Sequence, residues 1–474
     1  MPSPVDTGVV AKGPTQITLG GKLIERGWFF DNVDGISPTD SPSQALYTTN
    51  VYLTVDAKVS DNLRAFMELE TSSGGSSNSG VYYWGTYDSK PDATLKFRQA
   101  WIQYTGSGLL GAPAGIKVGH MPIVLGEKIF LNNERFGDDA ILVWVDPTKE
   151  LHLVAGTVKL VESADKRIGF IDHHQDLDGY VLVADYMWDK DNTIGANWTW
   201  THSDHNLPSL SHCLEDANGN CNIFLPDTDE LNFHNIGIHA NGKLGGFTYA
   251  AEGDFQFGKA KNIVFGDEDT GDVVALGDQK FRGWGAMAKV GYMIDPLNIR
   301  AMFAIGSGDD GDDPGKIKEF QTLQGSDNIG AITRLTHYTL IYERLIRTAA
   351  VEAVVTTFPG GNIRTTGIAN TMVYNVGIDL KPVKELSISL DGFLLQATEN
   401  GAWENLVGGY VSKNIGQEVD LKFNYEIAKN LSYFAEAGMF FPGRFYTTSS
   451  PVFYGEEIGK KTTTMAVHGL LLAF

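Results

Sequence analysis

The chain has 474 residues, a formal net charge of -21 and a slightly negative mean hydropathy. No stretch approaches the roughly 20 apolar residues that a transmembrane helix needs, which excludes a helical membrane protein. A soluble chain of this length is expected to split into domains, yet no Pro/Ser-rich linker divides it. One large closed sheet explains both observations, because the strands of a membrane barrel are apolar on one face only.

The first residues, MPSPVDTGVV, carry neither a basic n-region nor an apolar h-region, so they are not expected to be a signal peptide. On this interpretation a Met was added to the mature sequence or a signal was removed. We interpret residues 1–14 as a periplasmic N-terminal segment and residues 15–474 as a single transmembrane barrel.

Alternating segments of about 10 to 15 residues follow along the chain, as tilted barrel strands require. Short connections rich in Gly, Pro, Asn or Asp, such as 60–62 and 241–243, alternate with long polar ones, such as 127–138, 261–279 and 309–369. Short periplasmic turns and long external loops are typical of outer-membrane barrels. Pairing the segments predicts an all-β fold, a transmembrane antiparallel barrel of about 18 strands.

Period-two alternation predicts which face of each strand is turned to lipid. In 63–70, apolar side chains alternate with a set that contains three charged residues. A charged side chain that faces lipid costs about 2–4 kcal/mol at the midplane, so the charged sets are predicted to face the lumen. For Lys96 and Arg98 the alternation does not decide the face. The predicted pore-lining residues are Lys22, Arg64, Glu68, Glu70, Lys289, Arg300, Asp379, Lys381, Asp391, Asp420, Lys422 and Glu436.

The connection 309–369 is the longest in the chain. A loop of this length is uncommon unless it is functional, and its apolar residues need a surface to cover. We predict that it folds over or into the lumen and narrows the pore near Arg300, Glu68 and Asp391. The alternative is that 333–358 supplies two more wall strands.

Acidic residues crowd the external loops. Asp309, Asp310, Asp312 and Asp313 lie in one Gly-rich stretch and are the candidate ligands for a calcium ion, which takes several oxygen ligands. The sequence favours a solvated loop that binds divalent ions weakly or not at all. We therefore predict no cofactor, with a loop-bound calcium ion as the alternative.

The two cysteines, Cys213 and Cys221, lie close together in a polar stretch. Their spacing and the scarcity of cysteine predict a small loop disulfide in an oxidising envelope, and two free thiols are the alternative. Nearby histidines, including His212, match no strong zinc spacing, so they are predicted to bind no metal.

The last residues, 462–474, read TTTMAVHGLLLAF, with apolar side chains at alternate positions and a terminal aromatic. This pattern is typical of the strand that closes an outer-membrane barrel. Three longer runs stand before it: GSGDDGDDPGKIKEFQTL (306–323), KPVKELSISLDGFLL (381–395) and IGQEVDLKFNYEIAKNLSYFAEAGMFFPGRF (415–445). With these runs the chain resembles the alginate-export family of outer-membrane barrels.

The resemblance implies an 18-stranded barrel, but it does not imply alginate as the cargo, because function depends on sites rather than folds. An exporter of a polyanion needs a dense constriction of arginine and lysine, whereas the predicted lumen mixes both signs of charge.

No G-x-S-x-G, H-E-x-x-H or P-loop motif is present, so the sequence predicts that the protein is not an enzyme. Barrels of 16–18 strands leave an aqueous channel. We therefore predict a porin of the bacterial outer membrane for passive diffusion of small hydrophilic solutes or ions. The alternatives are an exporter of an anionic, alginate-like polysaccharide and a scaffold barrel for a partner protein.

The expected partners are outer-membrane lipid and lipopolysaccharide, small polar solutes and other copies in a trimer, but no nucleic acid.

Overall fold

The structure, a computed structural model, is almost entirely β-structure. It describes residues 8–12, 15–32, 43–73, 82–85, 93–108, 111–161, 177–203, 230–266, 273–324, 339–343, 367–449 and 461–474. Two short helices, Gly401–Val407 and Arg444–Ser449, lie in the long connections. Among the described residues, no helix has the length and apolar character needed to cross a membrane.

The wall is a closed antiparallel barrel of 18 strands, which confirms the predicted fold class. Numbered among the 23 strands of the described residues, the wall strands are β2 (Thr15–Asp31), β3 (Gln44–Lys58), β4 (Leu63–Ser73), β6 (Ala93–Gly106), β7 (Ala114–Val124), β8 (Leu131–Val145), β9 (Leu151–Val161), β10 (Leu177–Asp189), β11 (Asn192–Ser203), β12 (Glu230–Leu244), β13 (Phe247–Gly266), β15 (Trp284–Ile294), β16 (Leu297–Gly306), β19 (Thr371–Val383), β20 (Leu386–Ala397), β21 (Asn414–Ala428), β22 (Leu431–Pro442) and β23 (Thr463–Ala473). The sheet closes because β23 pairs with β2, with Ala473 opposite Lys22.

Five further strands extend the wall or lie against it: β1 (Gly8–Lys12), β5 (Tyr82–Tyr83), β14 (Val273–Phe281), β17 (Lys316–Ile317) and β18 (Leu323–Gln324). The first folds back along the start of β2, and β14 pairs with the far end of β13. The last two run parallel to their partners, β17 with β14 and β18 with β8. Parallel pairs of this kind show that the long connection after β16 returns to the barrel.

The two faces of the wall differ in chemistry. Residues paired directly across strands share a face, so the register extends each assignment around the barrel. One face carries large exposed apolar side chains, including Leu53, Ile141, Ile238 and Val376. The other carries the charged and polar side chains described below. The apolar face is the one that contacts lipid, because a bilayer offers no partner for charges.

Four predictions about connections are corrected by the strand boundaries and pairings. The turn predicted at 241–243 lies at Gly245, which adopts a φ of 64°, because β12 continues through Leu244. The region 127–138 is not an external loop, since β8 begins at Leu131. Strand β16 pairs directly with β19, so the connection between them inserts no strand into the wall. The loop predicted at 261–279 contains the end of β13 and most of β14.

A closed wall predicts resistance to detergent. Because every wall strand is paired on both sides, the sheet has no unpaired edge at which unfolding could begin at a low cost in free energy. We expect the purified protein to migrate differently in SDS electrophoresis before and after boiling, with a β-rich circular dichroism spectrum only in the unboiled sample. Identical migration together with a helical spectrum would contradict the barrel.

Candidate functional site

The register places the predicted lining residues on the inner face, opposite the exposed apolar side chains. Thr54, Glu68 and Gln99, for example, pair in one inward row. Lys381 is the least constrained by pairing, since the register of β19 shifts beyond Leu380 at the short-turn end. That the predicted lining residues contact a passing solute stays a prediction. The others on this face are Lys22, Arg64, Glu70, Lys289, Arg300, Asp379, Asp391, Asp420, Lys422 and Glu436.

A β-bulge explains why the sequence pattern did not decide which face of the wall Lys96 and Arg98 occupy. The pairing of β4 with β6 shifts by one residue beside Arg98, which reverses the phase of the strand at that point. Lys96 therefore pairs with Glu70 on the inner face. Arg98 donates to Glu68 at 2.7 Å from the bulge itself.

Arg300 forms the most buried ion-pair cluster of the inner wall. Its Nε donates to Asp379 Oδ2 at 2.8 Å, and its NH1 donates to Asp391 Oδ1 at 2.6 Å. The arginine side chain is only 9% exposed and Asp391 is fully buried. The guanidinium and the two carboxylates thereby connect β16, β19 and β20 through charge-assisted hydrogen bonds. The guanidinium is therefore part of the wall and has little surface left for a passing solute.

Other inward cations are also matched by carboxylates. Arg64 donates to Asp56 at 2.6 Å, and Lys289 lies 3.3 Å from a carboxylate of Glu127. Lys117 is different, since its Nζ lies 4.0 Å from the centre of the Trp101 ring. The inner face consequently mixes both signs of charge, and several of its cations are paired with carboxylates.

A first inward segment, residues 125–130, joins β7 to β8 and crosses to the other side of the lumen. The backbone N–H of Glu127 donates to Glu252 Oε2 at 2.6 Å, on the inner face of β13. The carboxylate of Glu127 reaches Lys289 of β15. Phe130 is fully buried, and its ring lies tilted against that of Phe233, with 6.1 Å between the ring centres. The sequence interpretation missed this segment.

A second inward segment, residues 307–324, follows β16 and lies against β13, β14 and β8. Gln321 and Gln256 exchange two hydrogen bonds, with the Gln321 N–H donating at 2.8 Å and the Gln256 amide donating at 2.6 Å. The Phe320 ring lies over Gly285, where a Cβ atom would stand 2.8 Å from it. Gly285 is an inward position of β15, so the lack of a side chain there makes room for this ring.

A third inward segment, residues 339–343, contacts the inner face of β21. The backbone N–H of Leu340 donates to Asp420 Oδ2 at 2.9 Å, and the next two N–H groups donate to Glu418 at 2.6 and 2.9 Å. The described parts of 309–369 therefore lie against the inner wall beside Asp391, which pairs with Asp420. That they limit passage stays a prediction. Glu68, by contrast, is bound by side chains of β6.

Two pairs of carboxylates have the same structural role, which is to hold an inward segment against the wall. Within each pair the two residues are two positions apart along a strand. Glu418 with Asp420, and Glu252 with Asp254, each belong to one inward row of a wall strand, and in each pair at least one carboxylate accepts backbone N–H groups of an inward segment. Of these four residues the sequence interpretation identified only Asp420. The signal was present as alternation of acidic and apolar residues within the strands.

Two of the four aspartates in the acidic stretch after β16 are paired with lysines. Lys318 Nζ donates to Asp310 at 2.5 and 2.6 Å, and Lys316 lies 2.7 Å from Asp313. These hydrogen bonds hold the pKa of Asp310 and of Asp313 below the usual range. Asp309 accepts backbone N–H groups, including that of Lys318 at 3.0 Å. Among the described residues, no group of three His, Cys, Asp or Glu side chains is arranged to hold a metal ion.

The predicted disulfide cannot be compared with the structure. Cys213 and Cys221 fall within 204–229, outside the described residues, and so does His212. The disulfide stays a prediction.

A closed 18-stranded wall with an apolar outer face, a charged inner face and segments folded inside defines an outer-membrane β-barrel of the porin type. The model of the family described as "Alginate export" matches residues 15–458. The chain therefore belongs to this family, as the resemblance predicted, and its place is the bacterial outer membrane. A search of curated proteins finds no match.

Solved structures with a similar fold include three Pseudomonas aeruginosa proteins. OccK2 (OpdF) matches with a TM-score of 0.52 at 10% identity, covering 96% of this chain and 98% of that one. OccK11 (OpdR) matches with 0.51 at 10% identity, covering 96% of each chain. OccK5 (OpdH) matches with 0.50 at 10% identity, covering 96% and 98%. At this identity the likeness concerns the fold.

Proposed function

We propose that the protein is a channel for passive diffusion of small hydrophilic solutes or ions, and that the three inward segments narrow it. The observation that carries this proposal is an inner wall of charged and polar groups on a barrel of 18 strands, a size that leaves an aqueous lumen. The inward segments, which carry buried rings such as those of Phe320 and Phe130, reduce that lumen.

Charge pairing favours small solutes over a polyanionic polysaccharide. Export of a polyuronate requires cations that are free to exchange along the polymer, whereas Arg64, Arg98 and Arg300 each donate to a carboxylate within 2.8 Å. Neutralised pairs attract a polyanion weakly. The inward segments also argue against a scaffold barrel, which needs its interior free for a partner protein.

The proposal concerns transport rather than catalysis, in keeping with the export and porin families. No cofactor is part of it, and calcium in the acidic stretch stays the alternative. The apolar outer face supports contact with outer-membrane lipid. Contact with lipopolysaccharide and assembly as a trimer are further parts of the proposal. Chemical cross-linking in native outer membranes tests the trimer.

Planar-bilayer recording tests the channel. We expect stable open conductance and weak ion selectivity, because the inward charges compensate each other. In a tenfold KCl gradient the reversal potential should fall well short of the ~59 mV of a perfectly selective pore. A folded, reconstituted protein that never conducts would overturn the proposal, and a strongly anion-selective reversal potential would revive the polyanion exporter.

A further inference from the structure

Several buried polar atoms on the inner face of β10 to β13 have no hydrogen-bond partner. Both amide atoms of Asn197 are unpaired, as are Asp254 Oδ2, Glu252 Oε1 and His239 Nδ1. Asn197 is 3% exposed and Asp254 is 5% exposed. Buried polar groups are normally satisfied, so a cluster of unpaired atoms marks a place where a bound water or ion supplies the missing bonds.

Two inward glycines show that these side chains converge. A Cβ atom on Gly237 would lie 2.6 Å from Asp254 Oδ1 and 2.7 Å from Asn197 Nδ2. A Cβ atom on Gly195, one strand away, would lie 2.0 Å from Asp185 Oδ1 and meet the His239 ring. Polar side chains from neighbouring strands thus lean into the space that side chains at these two glycines would take, and we call this cluster the recess.

The recess is rich in carboxyl groups, since Asp185, Glu252 and Asp254 share one imidazole, that of His239. Asp254 Oδ1 accepts from Asn235 at 2.6 Å and Glu252 Oε2 accepts from the Glu127 N–H, but these are neutral donors. His239 Nε2 lies 3.2 Å from Asp185 Oδ1 without the geometry of a hydrogen bond. One imidazole beside three carboxyl groups leaves room for a further positive partner, and a buried carboxylate without such a partner is strongly destabilising.

We propose that this recess, formed by Asp185, Asn197, His239, Glu252 and Asp254, binds a small cation of the ammonium type. An ammonium group offers several N–H donors to carboxylate and amide oxygens, which is what the unpaired acceptors lack. Asp185 is 29% exposed and stands at the open side, so it is the point of entry. An alkali cation offers the same charge without N–H donors and is the other source of this chemistry.

Binding is read without current, so this proposal does not depend on the channel function. The purified protein in detergent is heated with increasing methylammonium chloride, and with tetramethylammonium chloride at the same ionic strength. A ligand that binds only the folded state raises the unfolding temperature with its concentration. We expect a saturable rise with methylammonium and none with tetramethylammonium, which is larger and lacks N–H groups. Rubidium chloride distinguishes an alkali-ion site from an ammonium site.

Two variants locate the effect. Asp254→Asn removes a charged acceptor and should weaken the apparent affinity for methylammonium roughly tenfold or more. Gly237→Ala keeps every charge and places a methyl group between Asn197 and Asp254, so it should weaken binding as well. The matched control is Asp56→Asn, a lumen-facing carboxylate elsewhere on the wall, which should leave the affinity unchanged. The affinity is taken from the concentration dependence, so a shift in baseline stability does not matter.

Equal shifts with methylammonium and tetramethylammonium would overturn the proposal and would mean that the carboxylates are neutralised by protons alone. Full methylammonium affinity in the Gly237→Ala variant would also overturn it, because the recess would then not be the site. Saturable binding of rubidium with none of methylammonium would replace the ammonium site by an alkali-ion site.

Discussion

Replacing Glu418 by Gln together with Asp420 by Asn is expected to release the third inward segment, 339–343, and to raise the single-channel conductance. Both oxygens of Glu418 accept backbone N–H groups, at 2.6 and 2.9 Å, and Asp420 accepts a third at 2.9 Å. A Gln side chain has one acceptor, and its NH₂ group would face a donor. Each orphaned buried N–H costs about 1–3 kcal/mol, so the docked position loses most of its polar stabilisation.

The control for this variant is Glu426→Gln, on the same strand near the short-turn end, where the side chain is exposed and far along β21 from the docked segment. It should leave the conductance unchanged. Conductance is measured in planar bilayers, and folding is checked by the shift on boiling in SDS. A folded double variant with the conductance of the parent protein would show that 339–343 does not limit passage.

Strand faces were predictable from the sequence because the period of a strand is two and lipid penalises charge. Arg64, Glu68 and Glu70 follow from that rule alone, and the register places all three on the inner face. The rule fails where a bulge inserts a residue. The phase reverses beside Arg98, and no local pattern of apolar residues marks the position in advance.

The inward segments were harder to predict from the sequence than the strand faces. Residues 125–130 lie between two strands and resemble a loop in composition, yet Ile129 and Phe130 are fully buried. Their partner Glu252 lies more than a hundred residues away, and a contact of that kind depends on the closure of the barrel. Apolar residues within a presumed external loop were the available signal. That signal was used for 309–369 and missed for 125–130.

The recess around Gly237 could not be predicted from the sequence, for a related reason. An inward glycine in a strand is ordinarily a weak position with no side chain to pack. Its meaning depends on which side chains lean over it, and Asn197 and Asp254 come from the two neighbouring strands. Only the register brings them together.

Arg300→Met is expected to be the most destabilising single change in the wall. It would leave the fully buried Asp391 and the partly buried Asp379 without their positive partner, and removing one member of a buried ion pair costs about 3–5 kcal/mol. We expect a lower unfolding temperature and a smaller folded fraction in SDS electrophoresis. The matched control is Arg64→Met, whose pair with Asp56 is 47% and 31% exposed and should contribute only about 0–1 kcal/mol.

A compensated variant separates loss of charge pairing from loss of packing. Adding Asp379→Asn and Asp391→Asn to Arg300→Met removes the orphaned charges, so most of the stability should return. If the triple variant stays as unstable as the single one, the cost comes from the lost volume and hydrogen bonds of the guanidinium rather than from the uncompensated carboxylates. If Arg300→Met alone is as stable as the parent protein, the cluster does not brace β16, β19 and β20, and Arg300 would be free to act on solutes in the lumen.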